Sequence, residues 1–303
     1  MRHIIRKAVL ASVPELEISP EEFSLLRMAR RVLSSAFSVE EKYEILVANF
    51  LALETQLLDI AATNVVRNTL TYSEFFETRS ALNVRMVNLL TAARLYLDQV
   101  PQDIADCLPS NDAAPSLLKA KCSQEYDQHF EYRFMEALRN HVQHRGIPIH
   151  FVSQGARWTS HDEPGRMEYT VDMVAQRRYL EEDEKFKKLI LKEVSDDVDL
   201  TAACRRYIES LSAINQFARD LIAESVRASR QMIEGAHKRY SELYSESLIG
   251  LTASALEDGR ETSSVPLLLD WDDVRLELQK RNSQLVNLRK RYVTGRTRDD
   301  RGM

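Results

Sequence analysis

Chain breakers are scarce in this sequence. Eight glycines and eight prolines serve 303 residues, well under average usage, so most of the length has to lie in long helices. Apolar residues at spacings of three and four fill the intervals. Tyr43, Leu46, Val47, Phe50, Leu57, Leu58 and Ala61 repeat in this way, which predicts a long helix from Ser38 to about Asn64. An earlier helix runs from Ser19 to Phe37. It starts with Ser19-Pro20-Glu21-Glu22: a cap, a first-turn proline and acids at the positive end of the helix. A third covers Thr71 to Leu97, apolar at Phe75, Phe76, Leu82, Met86, Leu89, Leu90 and Leu97, with Arg79, Asn83, Arg85 and Asn88 on its polar face. After a loop from Pro101 to Pro115, Ser116 to Arg145 forms the fourth. Four long helices with short joins make an up-and-down bundle over residues 1–146.

The pattern then changes. Ile147 to Trp158 and Met167 to Val174 are rich in β-branched and aromatic residues, and His161-Asp162-Glu163-Pro164-Gly165 between them is turn chemistry. A β-hairpin is expected over 147–176. The C-terminal region, 177–303, reads as a charged helix from Leu180 to Val194 and a very long one from Asp199 to about Ala255. A polar linker near 256–266 follows, around Glu257-Asp258-Gly259, and a last helix runs from about Trp271 to Tyr292. In that last helix Val274, Leu278, Arg281, Leu285, Leu288 and Tyr292 alternate by four and three, a coiled-coil-like seam. It packs on the chain's own bundle or forms a dimer zipper, and the C-terminal helices offer a contact for a regulatory protein partner. Thr294 to Met303 reads as a frayed end. The expected fold is mostly α: a helical bundle, a β-hairpin insertion and a C-terminal long-helix region.

A formal net charge of -5 excludes a generally basic nucleic-acid coat and leaves room for a local basic groove. Cys107, Cys122 and Cys204 lie far apart without metal-ligand spacing, as idle thiols in a reducing cytosol would. The apolar part of MRHIIRKAVLASVPELE is too short and interrupted for a signal peptide. No apolar run approaches 18 residues, so a membrane partner is not expected and the chain reads as cytoplasmic.

Chemistry-bearing residues concentrate between Tyr126 and His150, which hold four of the seven histidines. Arg139, Asn140 and His144 form Arg-Asn-x-x-x-His. At about 100° per helical residue, Asn140 and His144 lie about 40° apart, with Arg133 on the same stripe and Arg139 about 100° from Asn140. Phe134, Met135, Leu138 and Val142 sit opposite, where a core-facing stripe belongs. Gly146 suits a C-cap and Pro148 forbids continuation. An imidazole can exchange a proton near neutrality, and a guanidinium can hold a phosphate through two parallel hydrogen bonds. The same Arg-to-His spacing recurs at Arg145/His150, interrupted by Gly146 and Pro148, and at Arg230/His237, which has no Asn after its Arg. Arg133, Arg85, Asn88 and His141 are the candidates for substrate contact, weighed against roles on a solvated helix face. His141 and His144 have no carboxylate or thiolate at a supporting interval, so neither a metal nor another cofactor is expected.

The stretch resembles the signature of the HEPN superfamily, an Arg followed after four to six residues by a His, often with a polar residue directly after the Arg. The long helices from about Ser38 to Arg145 look like the HEPN bundle; the hairpin and the C-terminal helices lie outside the resemblance. It implies metal-independent cleavage of RNA with the ribose 2′-OH as nucleophile, Arg139 and His144 catalytic and Asn140 supporting. It also implies a homodimer that brings two motifs together, in a defence or toxin-type protein. The competing expectations are a non-catalytic helical interaction protein and an RNA-binding relative that does not cleave.

Overall fold

The computed structural model describes residues 1–8, 13–67, 71–159, 167–194, 196–244 and 248–293. The turn expected at 161–165 and the frayed end at 294–303 fall outside these residues. The protein is mostly helical, with two small antiparallel sheets among the described residues. Helix α1 spans Pro20–Val66, α2 Tyr72–Cys107, α3 Ala114–Gln128, α4 Phe130–His144, α5 Arg177–Glu181, α6 Lys188–Glu193, α7 Leu200–Tyr244 and α8 Asp270–Arg281. The strands are β1 Arg2–Lys7, β2 Leu16–Ile18, β3 Phe151–Trp158, β4 Met167–Gln176, β5 Asp197–Asp199, β6 Leu251–Glu257 and β7 Arg260–Pro266.

Several helix boundaries differ from the sequence reading. The expected break before Ser38 is absent, because buried Val39, Tyr43 and Leu46 carry the apolar stripe straight through it. Helix α2 continues past Pro101 to Cys107; buried Val100, Ile104 and Cys107 hold its last turns despite the missing proline N–H. In contrast, the fourth helix is two helices, broken at His129, whose φ of -124° and ψ of 115° are extended. The charged helix expected over 180–194 is the two short helices α5 and α6, and the last helix stops at Arg281, with only a 3-10 turn at Leu288–Lys290 beyond it. A continuous seam from Val274 to Tyr292 therefore does not form. Helix α1 also holds an 18-residue window of mean hydropathy 1.5, a longer apolar run than the sequence reading allowed.

The chain gathers into two compact units interleaved in sequence. The first comprises Met1–Val47, Arg94–Lys121 and Asn215–Ser283. It contains the sheet ordered β2-β1-β6-β7, in which β1 pairs with β2 and with β6. The polar linker expected near 256–266 is instead the β6–β7 hairpin. Glu257 faces Arg260 across the two-residue turn Asp258-Gly259, whose φ values of 50° and 76° are both positive. Asp-Gly is the pair such a turn favours. Glu40, almost fully buried, takes a bidentate pair from Arg219 at 2.9 and 2.6 Å; removing either partner would strand a buried charge at a cost of about 3–5 kcal/mol.

The second unit comprises Ala48–Ala93, Cys122–Ile214 and Gln284–Met303. Its core includes Leu53, Leu82, Met86, Leu89, Phe134, Met135, Leu138, Val152, Met173 and Leu211. The expected hairpin is present as β3–β4, extended by β5. All the chemistry discussed next lies within this unit.

Candidate active site

Helix α4 buries Phe134, Met135, Ala137 and Leu138 on one side, and His141 follows them inward. His141 is 6% exposed, and its Nδ1 lies 2.8 Å from Oδ2 of Asp183, also 6% exposed. Asp183 sits just beyond α5. Its Oδ1 accepts the Lys185 amide at 3.0 Å and lies 3.6 Å from Nε of Arg145. The hydrogen bond from His141 is the main cause holding this carboxyl below the usual carboxylate range; burial opposes it, and the Lys185 amide and Arg145 add to it. An ionised carboxylate only accepts, so the neutral His141 ring keeps its proton on Nδ1 and presents Nε2 as an acceptor.

What faces Nε2 is decided by Gly146. Helix α4 ends at His144, and the amides of Arg145 and Gly146 both donate to the His141 carbonyl, at 2.8 and 3.3 Å. Gly146 is not among the positive-φ residues, so the expected left-handed cap role is not why glycine stands here. A Cβ at this position would lie 2.7 Å from His141 Nε2. Real Cβ atoms do not come so close, so glycine stands here because any side chain would drive into the His141 ring.

The chain then turns back toward α2. Asn83 clamps Ile149 with both ends of its amide, accepting the Ile149 N–H at 2.9 Å and donating to its carbonyl at 3.3 Å. Losing the clamp would leave buried backbone groups unpaired, at about 1–3 kcal/mol each. The clamp fixes His150, whose amide donates to the Val174 carbonyl and whose Nδ1 accepts the Gln176 amide at 3.0 Å. Nδ1 is thereby committed as an acceptor, so the neutral ring carries its proton on Nε2. Burial, with smaller contributions from His141 and Arg178, lowers His150 to about 4. Its ring lies 6.2 Å from that of His141 and 4.9 Å from that of Tyr179.

These groups line a cavity of about 380 Å³ together with Arg79 from α2, Arg145, Tyr179 and Glu182. The cavity thus holds one hydrogen-bonded His–Asp pair, a second imidazole fixed as an N–H donor, and two guanidiniums. Among the described residues, no Ser, Thr, Cys or Lys lines it. A nucleophile would therefore come from the substrate or from water, unless Tyr179 served.

Of the seven candidates for catalysis and substrate contact, His141 alone lines this cavity. His144 is exposed and has no hydrogen bond among the described residues. Asn140 is exposed and accepts from Nη1 of Arg139 at 2.7 Å, while Nε of Arg139 is buried without a partner. Arg133 donates to the carbonyls of Tyr126 and Asp127 at 2.9 Å each, closing the frayed end of α3. Arg85 and Asn88 are exposed on α2; the same helix instead contributes Arg79 to the cavity and Asn83 to the clamp. Arg145 and His150, a pair that cannot share a helix, both line the cavity because the chain reverses between them. Arg230 pairs with Asp272 at 2.6 Å and His237 Nε2 donates to the Leu267 carbonyl at 2.6 Å, so both serve the first unit's packing. Asp183, Tyr179 and Gly146 complete the site.

No family model matches the chain, and neither the curated proteins nor the solved structures contain a match to it. What the site does has to be argued from its own geometry.

Proposed function

We propose that the protein is a metal-independent endoribonuclease whose acid–base centre is His141, held by Asp183, within a helical bundle of HEPN type. The carrying observation is the 2.8 Å His141–Asp183 contact in a cavity also lined by Arg79 and Arg145. Nε2 of His141 takes the proton of a ribose 2′-OH as O2′ bonds to phosphorus. The P–O5′ bond breaks, and the imidazolium returns that proton to the departing 5′ oxygen, leaving a 2′,3′-cyclic phosphate. Arg79 and Arg145 offset the charge that builds on the phosphoryl oxygens, and Asp183 stabilises the imidazolium. A substrate-borne nucleophile agrees with a cavity wall poor in nucleophiles. In this reading Arg139, Asn140 and His144 mark the helix that carries the centre, a turn away from the reacting atoms.

The test is cleavage of labelled RNA in excess EDTA by wild type, His141→Gln and His144→Ala. The expected result is cyclic-phosphate ends from wild type and from His144→Ala, and none from His141→Gln. Loss in His144→Ala with activity kept in His141→Gln returns catalysis to the Arg139–His144 motif. No cutting by wild type sinks the enzyme reading: retained RNA binding would then favour a non-cleaving RNA binder, and no binding an interaction protein.

A further inference from the structure

The carboxylates on either side of Glu182 are both spent. Glu181 pairs with Arg177 at 2.6 Å, and Asp183 takes the His141 ring nitrogen and the Lys185 amide. Glu182 makes no hydrogen bond or ion pair among the described residues, although it lines the cavity with Arg79 and Arg145. Its backbone is held from both sides, by fully buried Leu180 and by buried Asp183. Glu182 is still helical, with φ of -67° and ψ of -17°, and stands three residues after Tyr179. One turn therefore sets both side chains on the cavity side.

An ionised carboxylate only accepts hydrogen bonds, and it repels the phosphate that two guanidiniums attract. It belongs in such a cavity when the ligand brings it donors. Single-stranded RNA brings them on the Watson–Crick edges of its bases. Adenine and cytosine each offer one amino group, and uracil a single N–H flanked by two carbonyls. Guanine alone sets two donors side by side, N1–H and N2–H, matched to the two carboxylate oxygens. The same wall supplies the complement of its O6 in the Nε2–H of His150, and exposed apolar surface for its ring in Ile147 and Tyr179. A cavity of about 380 Å³ is at the small end of ligand pockets, which suits a single nucleotide. We infer that Glu182 determines the base specificity of this cavity, by taking guanine at the nucleotide whose 2′-OH attacks. The inference rests on the ribonuclease reading for the kind of ligand, and its test separates the two.

Titration calorimetry of the full-length chain with the four nucleoside 3′-monophosphates provides the test. Guanosine 3′-monophosphate is expected to bind about 10- to 100-fold more tightly than the other three, the discrimination of one well-made bidentate pair to a base. Glu182→Gln, a nearly isosteric change at an exposed position, is expected to abolish that preference and turn it toward adenosine 3′-monophosphate. A carboxamide accepts from the adenine amino group and donates to its N1. Glu184→Gln removes one charge from an exposed neighbour that does not line the cavity, and is expected to keep the guanine preference. Equal affinity for all four nucleotides, binding of none, or a guanine preference that survives Glu182→Gln would each overturn the inference. So would loss of the preference in Glu184→Gln, which would reduce the effect to net charge. Cut sites mapped in a mixed-sequence RNA then report on the two readings separately. Cutting without regard to guanine removes the specificity and leaves the nuclease; guanine-selective binding without cutting removes the nuclease and leaves the specificity.

Discussion

Two cavities of nearly equal size sit in the two units, about 380 Å³ beside α4 and about 360 Å³ in the first unit. The second is lined by Leu25, Met28, Val32, Cys107, Ser225 and Met232, among others. Its polar groups are turned to backbone: the Cys107 thiol toward the Val32 carbonyl, and the Ser225 hydroxyl to the Cys107 carbonyl at 2.7 Å. Burial, backed by Asp103 and Asp106, pushes the Cys107 thiol up to about 12, so it is neither a nucleophile nor a metal ligand at neutral pH. The cavity beside α4 is different in kind, because its side chains converge on empty space with donors and acceptors unspent. Volume alone does not make a site; the direction in which polar groups point does.

The sharpest way to break this contrast is to exchange one wall residue in each cavity. His141→Gln is expected to lower RNA cleavage by about 10³-fold or more, and Met28→Ala to leave it within about twofold; comparable losses from both would erase the distinction. Asp183→Asn is expected to cost about 10²-fold in kcat, since the ring loses its orienting acceptor. Asp183 also makes stability depend on acid. Its folded pKa lies below the ordinary carboxylate value, so its contribution is complete above that value and is lost as pH falls through the folded one. Gly146→Ala is expected to reduce kcat/KM roughly 30-fold and to lower the melting temperature, because the new Cβ would lie 2.7 Å from Nε2 and push the His141 ring off its partner. An unchanged kcat/KM would mean that the placement of that ring does not matter to the reaction.

A gentler probe is the pH dependence of unfolding. His150 has a folded value of about 4 against an unfolded one near 6.5, so the unfolded chain takes up the proton first. Its contribution is full above about pH 6.5 and declines toward pH 4, by about 1–2 kcal/mol after allowing for partial solvent screening. Urea titrations at those two pH values should show this slope in wild type and a flatter one in His150→Gln. The smallest effect belongs to the apolar cavity. Alkylation of the native protein is expected to modify half-exposed Cys122 and to spare buried Cys107 and Cys204; rapid modification of Cys107 would show that its cavity opens.

The long helices were legible because their signal is local: apolar side chains every three or four residues, uninterrupted by glycine or proline. The β3–β4 hairpin was legible for the matching reason, period-two patterning around turn residues. The β6–β7 hairpin also announced itself, in Asp258-Gly259, but Leu251 to Ala255 read as the end of the long helix, which stops at Tyr244, and Ser263 and Ser264 looked polar enough for a linker. Nothing local marks β1, whose partners lie elsewhere in the chain. On α4 the exposed polar face puts His144 first in a reading of the sequence, whereas the His–Asp contact lies on the buried side, where a carboxylate 42 positions later in sequence meets His141. That contact is a product of tertiary folding, and no spacing rule on one helix encodes it. Arg145 and His150 were discounted because they cannot share a helix, although the turn that separates them is what aims both inward.

The β1 strand has a consequence for how the molecule is made. It is hydrogen-bonded along both edges, and its Arg6 reaches Glu261 across 255 positions of sequence. During synthesis β2 is at hand early for one edge of β1, with Ile4 opposite Glu17 and Ile5 opposite Leu16, but the other edge must wait until β6 has emerged. The sheet is a late event with a large closure entropy to overcome. A stalled or truncated polypeptide ending before Leu251 would leave that strand edge open to neighbours.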